Sequence, residues 1–222
     1  MTALADLVLA ALPQTQCTRC GYRDCAAYAQ AIALGEAGIN QCPPGGAQGI
    51  ERLARLTGQP FVNLDPRFGI EGPRSVAFID ENWCIGCTLC VTACPTDAIV
   101  GSNKMMHTVL EAFCTGCELC LPVCPVDCIE LENVTGKVSG WAAWSPEQAE
   151  LARSRHQRRA DRQQRELDEN SVRLEQKALL KRANPGQPSG QTDAVVTDKK
   201  RAVIESALQR ARDRRAAGNK NS

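Results

Sequence analysis

The chain has 222 residues and a formal net charge of +1, and 13 of its residues are cysteine while only two are histidine. This cysteine content predicts either a disulfide framework or metal ligation, and an odd number of cysteines cannot all pair. The first twelve residues show no basic segment and no cleavage site of a signal peptide. No stretch has the length of a membrane-spanning helix. We therefore expect metal ligation in a reducing, cytoplasmic compartment and no transmembrane segment.

The charges divide the chain into an acidic body and a basic tail. Residues 1–144 carry 8 Lys and Arg against 14 Asp and Glu, whereas residues 145–222 carry 18 against 11. The near-neutral net charge of the whole chain conceals this division. We expect the acidic body and the basic tail to be physically distinct parts.

The first predicted domain, residues 1–58, is a small helical unit with four cysteines. Its opening helix places Leu4, Leu7, Val8 and Ala11 on one face. A second helix is predicted over residues 26–37, and a third ends at Gly58. The four cysteines are spaced C-x2-C-x4-C-x16-C, and this spacing alone also permits a structural zinc site. They are Cys17, Cys20, Cys25 and Cys42.

A connector rich in Pro and Gly, residues 59–74, leads to a predicted domain at 75–136 that contains an internal repeat. Residues 83–100 read WCIGCTLCVTACPTDAIV, and residues 113–130 read FCTGCELCLPVCPVDCIE. Nine of these eighteen positions are identical, which predicts a pseudo-symmetric pair of units. Short strands are predicted beside them, at residues 76–80, 98–100, 105–109 and 129–132.

Each repeat contains C-x2-C-x2-C-x3-C-P, the run of bacterial two-cluster ferredoxins, in which the fourth cysteine ligates the other cluster. Structural zinc sites use pairs of cysteines rather than such triplets, so the run disfavours zinc here. Apolar neighbours should form a dry shell around the clusters. They are Ile85, Leu89, Val91, Ile99, Leu119, Leu121 and Ile129. The run predicts one [4Fe–4S] cluster held by Cys84, Cys87, Cys90 and Cys124, and a second held by Cys94, Cys114, Cys117 and Cys120.

Four other polar residues of this domain are expected to be structural. Cys128 lies opposite Ala98 in the repeat, so we interpret it as a small buried residue and not as a ligand. Asp97 and Asp127 are interpreted as turn residues, and His107 as part of a strand or loop.

The basic tail, residues 137–222, is predicted to be largely helical or disordered. Ser145 and Gln148 form a capping box around a proline at the first helical position, and the helix should run to about residue 182. Residues 184–190 read as a Pro/Gly break, and residues 198–217 as a second helix. The tail is interpreted as a solvated helix, as a docking element for an acidic partner or anionic membrane surface, or, least favoured, as a nucleic-acid-binding segment.

Residues 17–46, CTRCGYRDCAAYAQAIALGEAGINQCPPGG, closely resemble the N-terminal iron–sulfur domain of the B-subunit of the Rnf electron-transport complex. In that family a two-cluster ferredoxin domain follows, as it does here, and the resemblance covers roughly residues 1–135. It implies an α+β fold, with a small helical 4Fe–4S domain, a ferredoxin-like domain and then the tail. It also implies a third [4Fe–4S] cluster on Cys17, Cys20, Cys25 and Cys42. The family usually begins with a membrane-spanning helix, which we do not expect here, and the long tail is not part of the family's core pattern.

The resemblance implies low-potential electron transfer between redox proteins, either within an Rnf-type membrane complex or as a free ferredoxin. An alternative is the iron–sulfur subunit of another oxidoreductase whose active site lies on a partner chain, and a nucleic-acid-associated iron–sulfur protein ranks last. We find no nucleophile–base pair and no nucleotide-binding fingerprint. We therefore expect no catalytic residues and no small-molecule substrate, and a cytoplasmic location, free or peripheral at the inner membrane.

Overall fold

The computed structural model describes residues 2–183, 198–199, 202–210 and 213. They belong to two units, residues 1–159 and residues 160–222. The first unit combines helices with small antiparallel sheets, as an α+β fold requires. Among the described residues, no helix has both the length and the apolar character that a membrane span requires.

Three helices form the N-terminal part: α1 (Ala3–Ala11), α2 (Cys25–Ala33) and α3 (Gly46–Thr57). The Thr2 hydroxyl caps α1, and the Asp24 carboxylate caps α2 by accepting the Ala27 amide at 2.7 Å. Asp and Thr side chains satisfy the free amides of a first turn in this way. Helix α2 ends earlier than predicted because Gly35 adopts a left-handed φ of 74°, which closes the helix.

The helical core surrounds three of the four N-terminal cysteines. Helix α1 contacts both α2 and α3, so its buried stripe follows Ala5, Val8 and Leu9. The prediction for Leu7 was wrong, because this side chain is 55% exposed.

The connector contributes to the structure of the first unit. It contains a single 3-10 turn (Pro66–Phe68), which the Asp65 carboxylate caps. The Glu71 carboxylate then accepts hydrogen bonds from the Ala47 amide at 2.8 Å and the Ser139 hydroxyl at 2.7 Å. Glu71 thereby joins the start of α3 to the segment that follows the ferredoxin-type repeat.

Two short antiparallel sheets carry the repeat. Strand β1 (Ser75–Ile79) pairs with β4 (Ile129–Asn133), and β2 (Ile99–Val100) pairs with β3 (Thr108–Val109). A short helix, α4 (Leu89–Ala93), lies in the first copy. Strand β3 is shorter than predicted because residues 102–105 form a turn, in which the Met105 amide donates to the Ser102 carbonyl.

The first residues of the predicted tail pack on the helical part. The 3-10 turn Gly140–Ala143 contacts α3, and Trp141 is only 3% exposed. The Trp141 indole donates to the Ala11 carbonyl at 2.7 Å, and the Arg52 guanidinium lies 4.0 Å above the ring. This segment therefore belongs to the first unit.

Helix α5 (Pro146–Ala183) follows, and its capping box is confirmed. The Gln148 amide donates to the Ser145 hydroxyl at 3.2 Å, and the Ser145 amide donates to the Gln148 side chain at 3.0 Å. Of the predicted second tail helix, residues 198–199, 202–210 and 213 are helical. The remainder of that prediction and the predicted break at 184–190 lie outside the described residues.

Candidate iron–sulfur sites

The first ferredoxin group consists of four cysteines that line one cavity. Three come from the first copy of the repeat, on the loop before α4 and the helix itself, and the fourth comes from the end of the second copy. A fifth cysteine, Cys128, also lines this cavity, and its other walls are mainly apolar. The four cysteines are Cys84, Cys87, Cys90 and Cys124.

The second ferredoxin group mirrors the first. Its three neighbouring cysteines come from the second copy and its fourth comes from the first copy, and they line a second cavity. These are the two combinations that an exchange of fourth cysteines brings together. The group consists of Cys94, Cys114, Cys117 and Cys120.

A glycine precedes the second cysteine in each copy because the chain passes very close to another backbone segment there. Gly86 adopts a φ of +69°, and a Cβ at this position would lie 2.5 Å from the Met105 amide nitrogen. Gly116 adopts a φ of +63°, and a Cβ would lie 2.1 Å from the Ser75 carbonyl oxygen. Both the left-handed conformation and the lack of space require glycine.

Backbone amides point at sulfur atoms in both ferredoxin groups. The His107 amide donates to Cys84 Sγ at 3.4 Å, and the Ala77 amide, thirty residues earlier, donates to Cys114 Sγ at 3.3 Å. The Ala98 amide donates to Cys94 Sγ at 3.2 Å. Such donors stabilise the negative charge of thiolates that ligate a metal, and they tune the potential of iron–sulfur sites.

The N-terminal group consists of Cys17, Cys20, Cys25 and Cys42, and the first two lie on the loop between α1 and α2. This loop contains three residues other than glycine with left-handed φ angles between 55° and 61°, namely Gln14, Gln16 and Thr18. Conformations of this kind turn backbone amides toward one concave side, which suits an anionic group. The loop geometry has no signal in the cysteine spacing, so sequence reasoning missed it.

Burial shapes the chemistry of the N-terminal group. It raises the pKa of the Cys25 and Cys42 thiols above their ordinary value, and negative charge on Cys17 and Cys20 raises both further. The four side chains are therefore close enough to repel one another as thiolates. A bound cation offsets that repulsion.

The same holds in the second ferredoxin group. Burial raises the pKa of Cys117 to about 11 and that of Cys120 to about 12. Among the described residues, no three His, Cys, Asp or Glu side chains are close enough to share a single metal ion. The sulfurs of each ferredoxin group instead surround a cavity. Soft thiolates arranged in this way fit an iron–sulfur cluster.

The predicted dry shell is only partly present. Ile99 and Ile129 are buried, but Ile85 and Leu89 are 58% and 48% exposed, so the prediction for these two was wrong. Both lie in the first copy of the repeat, at or beside the rim of the first ferredoxin group. Val91, Leu119 and Leu121 are half-buried.

Asp97 and Asp127 occupy turns, as predicted. Their φ angles are +50° and +49°, a left-handed conformation that aspartate tolerates better than most residues. Cys128 is buried, also as predicted, and its Sγ lies 3.5 Å from Cys124 Sγ.

His107 has a closer relation to the site than sequence reasoning indicated. It immediately precedes β3, and its side chain is 1% exposed. Its Nδ1 atom lies 3.7 Å from Cys84 Sγ and 3.6 Å from Cys90 Sγ. The signal available in the sequence was the repeat itself, which places this histidine opposite Ala77.

Two contacts join the N-terminal group to the loop of the second ferredoxin group. The Thr115 hydroxyl donates to the Thr15 carbonyl at 2.9 Å, and Arg19 forms an ion pair with Glu118. Although burial lowers the pKa of Arg19, the hydrogen bond with Glu118 and the nearby sulfurs of Cys17 and Cys117 raise it overall. Arg19 therefore lies within electrostatic range of both groups.

The start of α5 contacts the end of the first copy and the aromatic ring that opens the second copy. Arg155 donates to the Thr96 carbonyl at 2.7 Å and to the Asp97 carbonyl at 2.8 Å, and its guanidinium lies 3.7 Å from the Phe113 ring centroid. Arg159 forms an ion pair with the Asp97 carboxylate at 2.6 Å. These contacts hold the first turns of the helix to the body of the first unit.

Three groups of thiols around a ferredoxin-type repeat define an iron–sulfur electron-transfer protein. The model of the "4Fe-4S dicluster domain" family matches residues 77–131, and that of the "Putative Fe-S cluster" family matches residues 12–44.

Curated relatives identify the family. The chain is 62% identical to the B-subunit of the ion-translocating oxidoreductase complex of Azoarcus sp. (strain BH72). The aligned 138 residues cover 62% of this chain and 75% of that relative. It is 58% identical to the protein of that name from Thiobacillus denitrificans, over 107 residues that cover 48% of this chain and 57% of that relative. It is 52% identical to the protein of that name from Pseudomonas paraeruginosa, over 157 residues that cover 71% of this chain and 81% of that relative. The chain belongs to the family of B-subunits of ion-translocating oxidoreductase complexes, the RnfB family.

Proposed function

We propose that the chain binds three [4Fe–4S] clusters, one in each cysteine group, and relays single electrons as the iron–sulfur subunit of an ion-translocating oxidoreductase complex. The observation that carries this proposal is the placement of the eight cysteines of the two runs around two cavities, four at each, with Cys128 as a further thiol at the first. When bound, the clusters supply the one-electron chemistry. The chain holds them, directs amides at their ligands and limits the access of water.

We further propose that the second ferredoxin group lies between the other two in the path of the electrons. Thr115 and Glu118 tie its loop to Thr15 and Arg19 of the N-terminal group. The exchange of fourth cysteines ties it to the first ferredoxin group. The domains would follow the order in the sequence, with residues 1–58 and 75–136 as the two cluster-binding parts and 59–74 as their connector.

The proposed partners are redox proteins, and the proposed place of work is the cytoplasmic face of the membrane. No catalytic residues are assigned to the chain, which would act as a carrier and not as an enzyme on its own. The basic residues of the tail beyond Arg159 are proposed to contact an acidic partner or an anionic lipid surface.

Variants of each group test the ligand assignment. Double substitution of Cys17 and Cys20, of Cys87 and Cys90, or of Cys117 and Cys120 by alanine should each remove one group. Each variant should lose about one third of the iron and accept about two electrons per chain instead of about three in a reductive titration. The Cys128→Ala variant is the matched control and should keep all of its iron. Unchanged iron in any double variant would contradict the assignment for that group.

Isolation from native membranes tests the partner assignment. An affinity-tagged chain, cross-linked before the membranes are dissolved, should bring along other subunits of an ion-translocating oxidoreductase. Recovery with a flavin- or nucleotide-binding chain outside any such complex would contradict the proposal and support a different oxidoreductase.

A further inference from the structure

The two ferredoxin groups differ in the side chains of the residues that contact their cysteine sulfurs. His107 and Ala77 are thirty residues apart, and each donates its amide to the first cysteine of a group. Cys128 and Ala98 form a second pair with the same separation, beside the fourth cysteines Cys124 and Cys94. Both larger side chains line the first ferredoxin cavity, and both alanines line the second.

The His107 ring is held in one orientation. A Cβ on Gly101 would lie 2.0 Å from its Cδ2 atom, so the ring packs directly on this glycine. Its Nδ1 faces the sulfurs of Cys84 and Cys90 at 3.7 and 3.6 Å, while its buried Nε2 has no hydrogen-bond partner within the described part of the chain.

These surroundings select a tautomer. A neutral imidazole carries one proton, and the side that faces two ligand sulfurs is the side where an N–H is stabilised most. With the proton on Nε2, the Nδ1 lone pair would face anionic sulfur, which is unfavourable, and Nε2 has no partner among the described residues in either tautomer. The ring therefore presents Nδ1–H to the first ferredoxin group.

The Cys128 thiol provides a second contact of the same kind. Its Sγ lies 3.5 Å from Cys124 Sγ and is buried. A thiol is a weak donor, and a ligand sulfur that carries negative charge is the acceptor it meets here. Ala98 offers only a methyl group at the equivalent place in the second group.

We infer that the side chains of His107 and Cys128 donate hydrogen bonds to the ligand sulfurs of the first ferredoxin group and raise its reduction potential above the value that alanine at these positions would give. The inference rests on the proposed function, because it requires a cluster in each cavity. A donor to sulfur stabilises the more negative, reduced state more than the oxidised one, so it raises the potential. The two ferredoxin groups have a similar backbone, and these side chains make their reduction potentials different.

Cationic side chains act on the second group in the same direction. The Arg74 guanidinium donates to the Cys114 carbonyl at 2.9 Å, and Arg155 donates to the Thr96 carbonyl at 2.7 Å. The difference between the two groups in the native protein therefore contains both contributions. Substitutions at the repeat positions isolate the part that the two donors contribute.

The test is a redox titration of the full-length, cluster-loaded protein followed by electron paramagnetic resonance. In His107→Ala and in Cys128→Ala, one and the same midpoint should move to a lower potential. For His107→Ala the ratio of reduced to oxidised cluster at a fixed potential, obtained from the signal of the reduced state, should fall about tenfold, which is ~59 mV for a one-electron couple. The Cys128→Ala shift should be smaller, because a thiol is the weaker donor.

The reciprocal variant uses the other copy. Ala98→Cys places a thiol beside Cys94, and it should raise a different midpoint from the one that His107→Ala lowers. If the buried substitution at His107 costs the protein its iron, Cys128→Ala and Ala98→Cys carry the test together. Unchanged midpoints in these two variants, or movement of the same midpoint in both, would overturn the inference.

The outcomes separate this inference from the proposed function. Iron and the resonance signals of the native protein are measured first, and their absence would refute the proposed function. Intact signals with midpoints that do not respond to either side chain would refute the inference alone.

Discussion

The two copies of the repeat share a backbone but differ in what covers them. In the first copy Trp83 and Ile85 are 69% and 58% exposed. Their counterparts in the second copy are enclosed: Phe113 is half-buried beneath the Arg155 guanidinium, and Thr115 is 5% exposed and bonded to Thr15. Equal sequence motifs thus occupy one enclosed and one open position in the first unit.

The difference comes from segments outside the repeat. The N-terminal part covers the start of the second copy through the hydrogen bond between Thr115 and Thr15, and Arg155 of α5 covers the Phe113 ring. Arg155 and Arg159 make further contacts with Thr96 and Asp97 at the end of the first copy. The start of the second copy is therefore enclosed, whereas the start of the first copy is exposed. Substitutions at equivalent positions should have unequal effects on stability, and three predictions test this.

The largest effect is expected where the second copy meets β1. Gly116→Ala would place a Cβ 2.1 Å from the Ser75 carbonyl oxygen in a left-handed conformation. Strain and displacement of a backbone atom together should cost at least about 3 kcal/mol. Gly136→Ala is the matched control, because its φ is +61° but a Cβ there would meet nothing within 4 Å, and it should cost about 1–2 kcal/mol. Equal thermal midpoints for the two variants would contradict the close approach seen at Gly116.

A smaller effect should separate the aromatic residues that open the two copies. Phe113→Ala removes a half-buried ring that also supports Arg155, and we expect a loss of about 2 kcal/mol. Trp83→Ala should change the free energy of unfolding by less than about 0.5 kcal/mol, since most of that side chain is in water. Thermal unfolding of both variants, at equal iron content, measures the difference. A larger loss for Trp83→Ala would show that the first copy is not the open one.

The smallest effect concerns the start of α5. Arg155→Ala removes two hydrogen bonds to carbonyls and a contact with an aromatic ring, which together contribute about 1–2 kcal/mol. Amides of residues 146–159 should then exchange with solvent roughly tenfold faster. Arg158→Ala is the control, because the hydrogen bond of that side chain goes to the Ser154 carbonyl of its own helix. Equal exchange in the two variants would mean that Arg155 does not hold the helix.

The sequence predicted the fold class, the repeat and the capping box of α5, because these depend on local spacing. The exposure of Leu7 was not predictable from periodicity alone, since it depends on where α2 and α3 pack against α1. The same is true of Ile85 and Leu89, whose exposure depends on which copy other segments cover.

The spacing of the two runs predicted which of their cysteines meet around each cavity, and the role of these cysteines as ligands stays a prediction. The neighbours of those cysteines were not predictable, because Arg155 reaches Asp97 across 58 residues of sequence and no local pattern records such a contact. His107 is an intermediate case. Alignment of the repeat places it opposite Ala77, but its distance from Cys84 and Cys90 required the structure.

The most direct test of the three-cluster assignment is the iron, acid-labile sulfide and zinc content of protein purified without oxygen. Three [4Fe–4S] sites predict about twelve iron and about twelve sulfide per chain, with no zinc. About eight of each together with one zinc would leave both ferredoxin groups intact and contradict the assignment of Cys17, Cys20, Cys25 and Cys42.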